Sequence, residues 1–177
     1  AARWINLVWS RGASMKWFVG IDPGRQGAMV ALSHDSDALV FRSRLSAGWA
    51  GDAERLEAWR ELLELVEGSA HLATVWVEAQ YVRQGQRGQV KHVRESGMWC
   101  GWALAYGVEL QEPKAASHAG WRVAAGLGTR AGKADVLELV ERRLPNLDLT
   151  PGRLRTPHMG IVDAAGIALG ARASWRD

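Results

Sequence analysis

Three carboxylates carry the chemistry this sequence offers. Asp22 closes the apolar run Phe18-Val19-Gly20-Ile21, and Pro23-Gly24 turn the chain away directly after it. Glu78 closes a second run, Thr74-Val75-Trp76-Val77. A charged group ending a buried strand is costly unless it lies at a rim or has a partner, and the carboxyl edge of an α/β sheet is where functional sites form. Each acid alone has an ordinary explanation: Asp-Pro-Gly makes a good turn, and Glu78 would serve as a rim carboxylate in water. Together they say more. Parallel neighbouring strands would bring them side by side, and adjacent carboxylates repel in a way that favours a divalent cation between them. Asp163 is the third acid, in Gly160-Ile161-Val162-Asp163-Ala164-Ala165-Gly166, where every neighbour is small or apolar. That setting predicts a partly buried side chain near a helix start, where an Asp alone would merely serve the helix dipole. Three carboxylates from two strand ends and a helix start would hold two hard cations, the arrangement for phosphodiester hydrolysis.

The elements that must position these acids follow from hydrophobic periodicity. Trp17 to Asp22, Gln26 to Ser33 and Ala38 to Leu45 read as strands joined by short turns, hence an antiparallel meander. Asp52 to Glu67 reads as an amphipathic helix with Leu56, Trp59, Leu63 and Val66 inward, Asp52 as its cap and Gly68 as its stop. Leu72 to Glu78 is a β-rich strand, and the helical crossover before it makes it parallel to an earlier one. A helix from about Gln89 to Tyr106 carries Gly97, Gly101 and Ala105 four apart, which allows close packing against the sheet or a partner helix. Val108 to Gln111 reads as a short strand, and Lys114 to Ala125 as a helix with Trp121 inward. Helices over Lys133 to Leu144 and Gly160 to Ala173 close the chain. The expected class is α/β: a mixed sheet, with a three-strand antiparallel meander plus parallel strands, flanked by helices. Residues 1–14 show no clear period and are set apart as an N-terminal extension; residues 15–177 are expected to form a single domain.

Composition narrows the function. The 177 residues suffice for one substantial core. Cys100 is the only cysteine, which excludes an internal disulfide framework and a cysteine-rich zinc site. No apolar run approaches the roughly 20 residues of a membrane span, and no leader pattern opens the sequence, so a cytoplasmic location is expected. The net charge is only +3, but it is segregated. Asp52, Glu54, Glu57, Glu61, Glu64 and Glu67 cluster in one stretch, whereas Ala79 to Arg94 holds Arg83, Arg87, Lys91 and Arg94 with no acid before Glu95. Such a field suits a polyanionic partner, although a solvated basic loop would look the same. The ten tryptophans read as core and surface filling.

Gly20-Ile21-Asp22-Pro23-Gly24, then Val77-Glu78 beyond one long helix, then a C-terminal Asp163-Ala164 helix, resembles the RuvC family of Holliday junction resolvases, most closely its phage-encoded branch on the RNase H-like fold. The resemblance runs from Met15 to about Arg172. It implies a homodimer that nicks two strands of a four-way junction with Mg²⁺ or Mn²⁺, two ions per site, leaving 5′-phosphate and 3′-hydroxyl ends. It implies Asp22, Glu78 and Asp163 as catalytic metal ligands. It also implies Tyr81, three residues after the Glu, as a wedge at the junction centre, with Arg83, Arg87, Lys91 and Arg94 on phosphates. Lys133 matches a basic position near the start of the penultimate helix, with Arg130 beside it and both able to touch phosphate, and the Gly97-Gly101-Ala105 helix falls where the family dimerises. If phage-encoded, the protein would act in the host cytoplasm.

One departure from the family matters. A fourth ligand usually precedes the last Asp by a helical turn, and here that place is Gly160, preceded by Met159. His158 is the nearest candidate for a substitute metal ligand or general base. Two competing functions remain at this level, and a third is disfavoured. A YqgF-like RNA nuclease would share the fold, and a nucleic-acid-binding module with an impaired site would share the surface. An actin-like ATPase would need a second domain and a second Asp-Gly loop, which the chain lacks.

Overall fold

A computed structural model describes residues 16–35, 37–42, 48–66, 71–79, 89–108, 118–152 and 154–175. Four strands form one sheet: β1 (Trp17–Ile21), β2 (Ala28–Ser33), β3 (Ala38–Arg42) and β4 (Leu72–Val77), in the order β3-β2-β1-β4. β1 pairs antiparallel with β2, and β2 with β3, which makes the expected meander. β4 pairs parallel with β1 across the crossover helix. The helices are α1 (Asp52–Leu65), α2 (Gln89–Ala105), α3 (His118–Ala124), α4 (Lys133–Arg143) and α5 (Met159–Ser174). The expected strand at 108–111 falls almost wholly outside the described residues, as do 114–117 ahead of α3.

The sheet is buried on both faces, which is why β1, β2 and β4 read as unbroken apolar runs rather than alternating ones. Alternation reappears in what each residue touches. Trp17, Val19 and Ile21 of β1 pack with Trp59, Leu62 and Trp99 from α1 and α2. Phe18 of β1 and Trp76 of β4 pack with Trp121, Val136, Ile161 and Ala165 from α3, α4 and α5. Four of the tryptophans serve the core: Trp59, Trp76, Trp99 and Trp121 are fully buried.

The inward face of α1 differs from the periodicity. Arg55, Ala58, Trp59 and Leu62 are buried, and Leu56 and Leu63 are only half-buried. Arg55 goes inside because its guanidinium bonds Glu95 of α2 at 3.0 Å and Asp52 at 3.2 Å, a buried charge supplied with partners. Asp52 is the first helical residue rather than the cap. Gly51 holds the cap position, with no side-chain hydrogen bond.

Among the described residues, a Cβ at Gly97 or Gly101 would meet no atom within 4 Å, so these glycines show no close packing on the sheet.

Candidate active site

The parallel register places the first two acids. Ile21 pairs with Val77, so Asp22 and Glu78 each lie one residue beyond the end of adjacent strands. The ladder runs on past both: Glu78 N donates to Ile21 O at 3.0 Å, and Asp22 N donates to Ala28 O at 3.0 Å. Side-chain alternation then sets the face. Phe18 and Trp76 point to the α5 side, and Asp22 and Glu78 share their parity.

The third acid arrives by close packing of α5 on β1. A Cβ on Gly20 would collide with Ala164 O and Ala168 N, so glycine alone permits this approach. Asp163, one residue before Ala164, is thereby brought over the strand that ends in Asp22. It is the fifth residue of α5, whose first turn contains no acid. The dipole explanation considered from sequence therefore does not describe its position.

The charges of the three acids act on one another. Burial pushes the Asp22 carboxyl up to about 7, and the charges of Glu78 and Asp163 push the same way. The Gly24 N–H, which bonds Asp22 Oδ1 at 3.0 Å, and the Lys133 ammonium oppose the rise. Lys133, the first residue of α4, is thus close enough for its charge to reach the acid group. Glu78 is 9% exposed. The Trp121 indole Nε1 donates to its Oε1 at 3.1 Å, and Ser96 Oγ donates to its carbonyl oxygen at 2.7 Å. Neither contact was legible beforehand: Trp121 reads as an inward helix residue, and its partner is distant in sequence.

Among the described residues, no group of three or more His, Cys, Asp or Glu side chains is drawn in tightly enough to hold a metal ion. The donor chemistry nevertheless fits one. The donors are three hard carboxylates, the Asp22 carboxyl is pushed up by burial and then by the charges of Glu78 and Asp163, and a divalent cation is what such a set attracts.

His158 has a structural task. It caps α5, its Nδ1 accepting from Ile161 N at 3.3 Å. Burial and the nearby Arg42 guanidinium lower its pKa, keeping the imidazole neutral as an accepting nitrogen requires. Gly160 has no room for a ligand: a Cβ there would collide with Gln26 O and press on Gly27 at 2.9 Å. Arg94, expected on phosphate, donates to Asp52 at 3.0 Å while remaining largely exposed. Arg130 is exposed just ahead of α4. Tyr81, Arg83 and Arg87 lie outside the described residues, as does the side chain of Lys91.

A mixed sheet of this strand order, flanked by helices with acids at its carboxyl edge, defines an RNase H-like fold. Among solved structures, the chain resembles RuvC of Thermus thermophilus. That protein in complex with a Holliday junction substrate matches with a TM-score of 0.54 and 20% identity over 88% of this chain and 91% of the other. The Thermus thermophilus RuvC structure matches with a TM-score of 0.49 and 22% identity, over 86% and 90%. The fold is RuvC-like. No family model matches the chain, and no curated protein matches its sequence.

Proposed function

We propose that the chain is a metal-dependent, structure-selective endonuclease that resolves Holliday junctions by paired symmetric nicks, acting as a homodimer. The observation that carries this is the β1–β4 register, which sets Asp22 and Glu78 side by side beyond the sheet on the face that α5 covers with Asp163. The RuvC-like fold supports it, since the solved RuvC is bound to a Holliday junction.

Asp22, Glu78 and Asp163 would hold two Mg²⁺, with Mn²⁺ able to substitute. When bound, these ions supply activation of a water and stabilisation of the leaving oxygen. The protein's part is positional. The Gly24 N–H fixes the Asp22 carboxylate, and the α5–β1 packing at Gly20 fixes the distance of Asp163. Lys133, whose charge reaches Asp22, and the exposed Arg130 just ahead of α4 are proposed to meet the phosphate backbone and partly offset its charge. Tyr81, Arg83, Arg87, Lys91 and Arg94 follow Glu78 in the chain and are proposed as the junction-contacting segment. His158 stays a proposed general base through Nε2, because its Nδ1 is engaged.

The test is cleavage of a labelled four-way junction by wild type and by Asp22→Asn, Glu78→Gln and Asp163→Asn. Each variant should bind the junction and cut it slower by on the order of 10³-fold or more. Wild-type cutting by Asp22→Asn would overturn the assignment. Junction binding without cutting by the wild type in either Mg²⁺ or Mn²⁺ would indicate a binding module, and preferential cutting of RNA a YqgF-like activity.

A further inference from the structure

We propose that Trp121 is the positioning residue for Glu78, orienting its carboxylate for metal ligation. The inference rests on the nuclease reading and names a residue that reading did not supply.

The indole is fully buried, and its Nε1 donates to Glu78 Oε1 at 3.1 Å. Its placement is over-determined. Gly166 and Gly170 of α5 leave the space it fills: a Cβ at Gly166 would lie 2.7 Å from the indole ring, and one at Gly170 would lie 2.7 Å from Trp121 O. The Arg122 guanidinium sits 5.2 Å from the indole centroid and donates to Ala131 O at 2.7 Å, tying α3 to the loop before α4. Trp121 is therefore seated on the same helix that carries Asp163. From α3, packed on α5, its N–H reaches the residue that follows β4, while Ser96 Oγ holds the Glu78 carbonyl from the α2 side.

The chemistry of the donor decides its role. An indole N–H can only donate, and it carries no charge. It orients a carboxylate without cancelling the negative charge a cation needs, whereas an Arg or Lys in the same place would compete with that cation. A partner of this kind, one shell out from a metal, typically contributes 10–100-fold in affinity or activity. The bland alternative is a core tryptophan whose N–H happens to find an acceptor.

Mn²⁺ titration of the full chain, followed by electron paramagnetic resonance, separates them. Trp121→Phe keeps the ring and removes the N–H. Its Mn²⁺ affinity should fall about 10–100-fold, and the same change in a Glu78→Gln background should add nothing, the coupling expected of two groups acting through one contact. A merely structural tryptophan would lower thermal stability equally in both backgrounds with Mn²⁺ affinity untouched, which would overturn the proposal. Should Trp121→Phe fail to fold, the wild type suffices. The Trp121 indole N–H resonance should shift on Mg²⁺ titration and stay fixed in Glu78→Gln; an unmoved wild-type resonance would overturn it. Loss of Mn²⁺ binding in Glu78→Gln together with wild-type affinity in Trp121→Phe sinks this inference alone. Unchanged Mn²⁺ binding in Glu78→Gln sinks the metal site as well.

Discussion

Asp22 lives with an unfavourable charge. Burial, Glu78 and Asp163 raise its carboxyl from the ordinary 3.8 to about 7, so the folded metal-free protein holds a proton the unfolded chain has already released. The sign follows from linkage. Below the ordinary value both states are protonated, and the contribution of this group to stability is complete. Between there and about pH 7 the unfolded state loses its proton first, so stability falls as pH rises, then levels off. The loss is bounded at about 4 kcal/mol. Thermal unfolding in EDTA between pH 4.5 and 8 should show this decline in wild type and a flatter profile in Asp22→Asn. Mg²⁺ or Mn²⁺ at pH 8 should raise the wild-type melting temperature and leave that of Asp22→Asn nearly unmoved. An Asp22→Asn profile as steep as wild type would show that the strain lies elsewhere. All three acids were legible in the sequence, because a carboxylate after an apolar strand, or within an apolar helix, is conspicuous by its cost. The residues that hold them were not. Trp121 and Ser96 reach Glu78 across 43 and 18 positions of chain, and no local pattern encodes such contacts.

At the scale of elements, position is decided by glycine as much as by strand pairing. Gly20 admits α5 to β1, and Gly160 admits the start of α5 to the turn after Asp22. The second contact explains why the site lacks a fourth acid one helical turn before Asp163: the backbone at Gln26 and Gly27 fills that space. Gly160→Asp should therefore fail to supply a ligand. We expect it to lose about 1–3 kcal/mol in urea unfolding, an overpacking cost, with no gain in Mn²⁺ affinity; a tighter-binding, equally stable variant would refute the steric account. The antiparallel meander, the parallel crossover and helices α1, α2, α4 and α5 could be read from hydrophobic runs and turn residues, within a few residues at each end. The inward face of α1 could not. Arg55 counts as polar in any periodicity, and its burial depends on Glu95, 40 positions away. The His158 cap was hidden likewise, since a histidine before a helix resembles a loop residue until its Nδ1 is seen accepting from Ile161.

Across the whole molecule, the proposed paired nicking of a four-way junction would demand two active sites at a fixed separation, and α2 offers the surface that could set it. Val90, Val93 and Leu104 are 61%, 38% and 62% exposed. With Gly97 and Gly101, over which nothing lies within 4 Å, they form one stripe at helical spacing. Exposed aliphatic side chains flanking bare glycine backbone suit the close approach of a second helix, and the described residues provide none. Arg94 adjoins this stripe, and its largely exposed guanidinium is paired with Asp52 at 3.0 Å. Leu104→Glu should convert a dimer into a monomer by sedimentation velocity, since an ionised side chain would have to be buried at the seam. The monomer should keep wild-type Mn²⁺ affinity, because the three acids all come from one chain. Its junction cleavage should then lose coupling between the two cuts, so that singly nicked junctions accumulate where wild type yields resolved duplexes. A wild-type protein that sediments as a monomer yet nicks in pairs would move the symmetry to another face of the molecule.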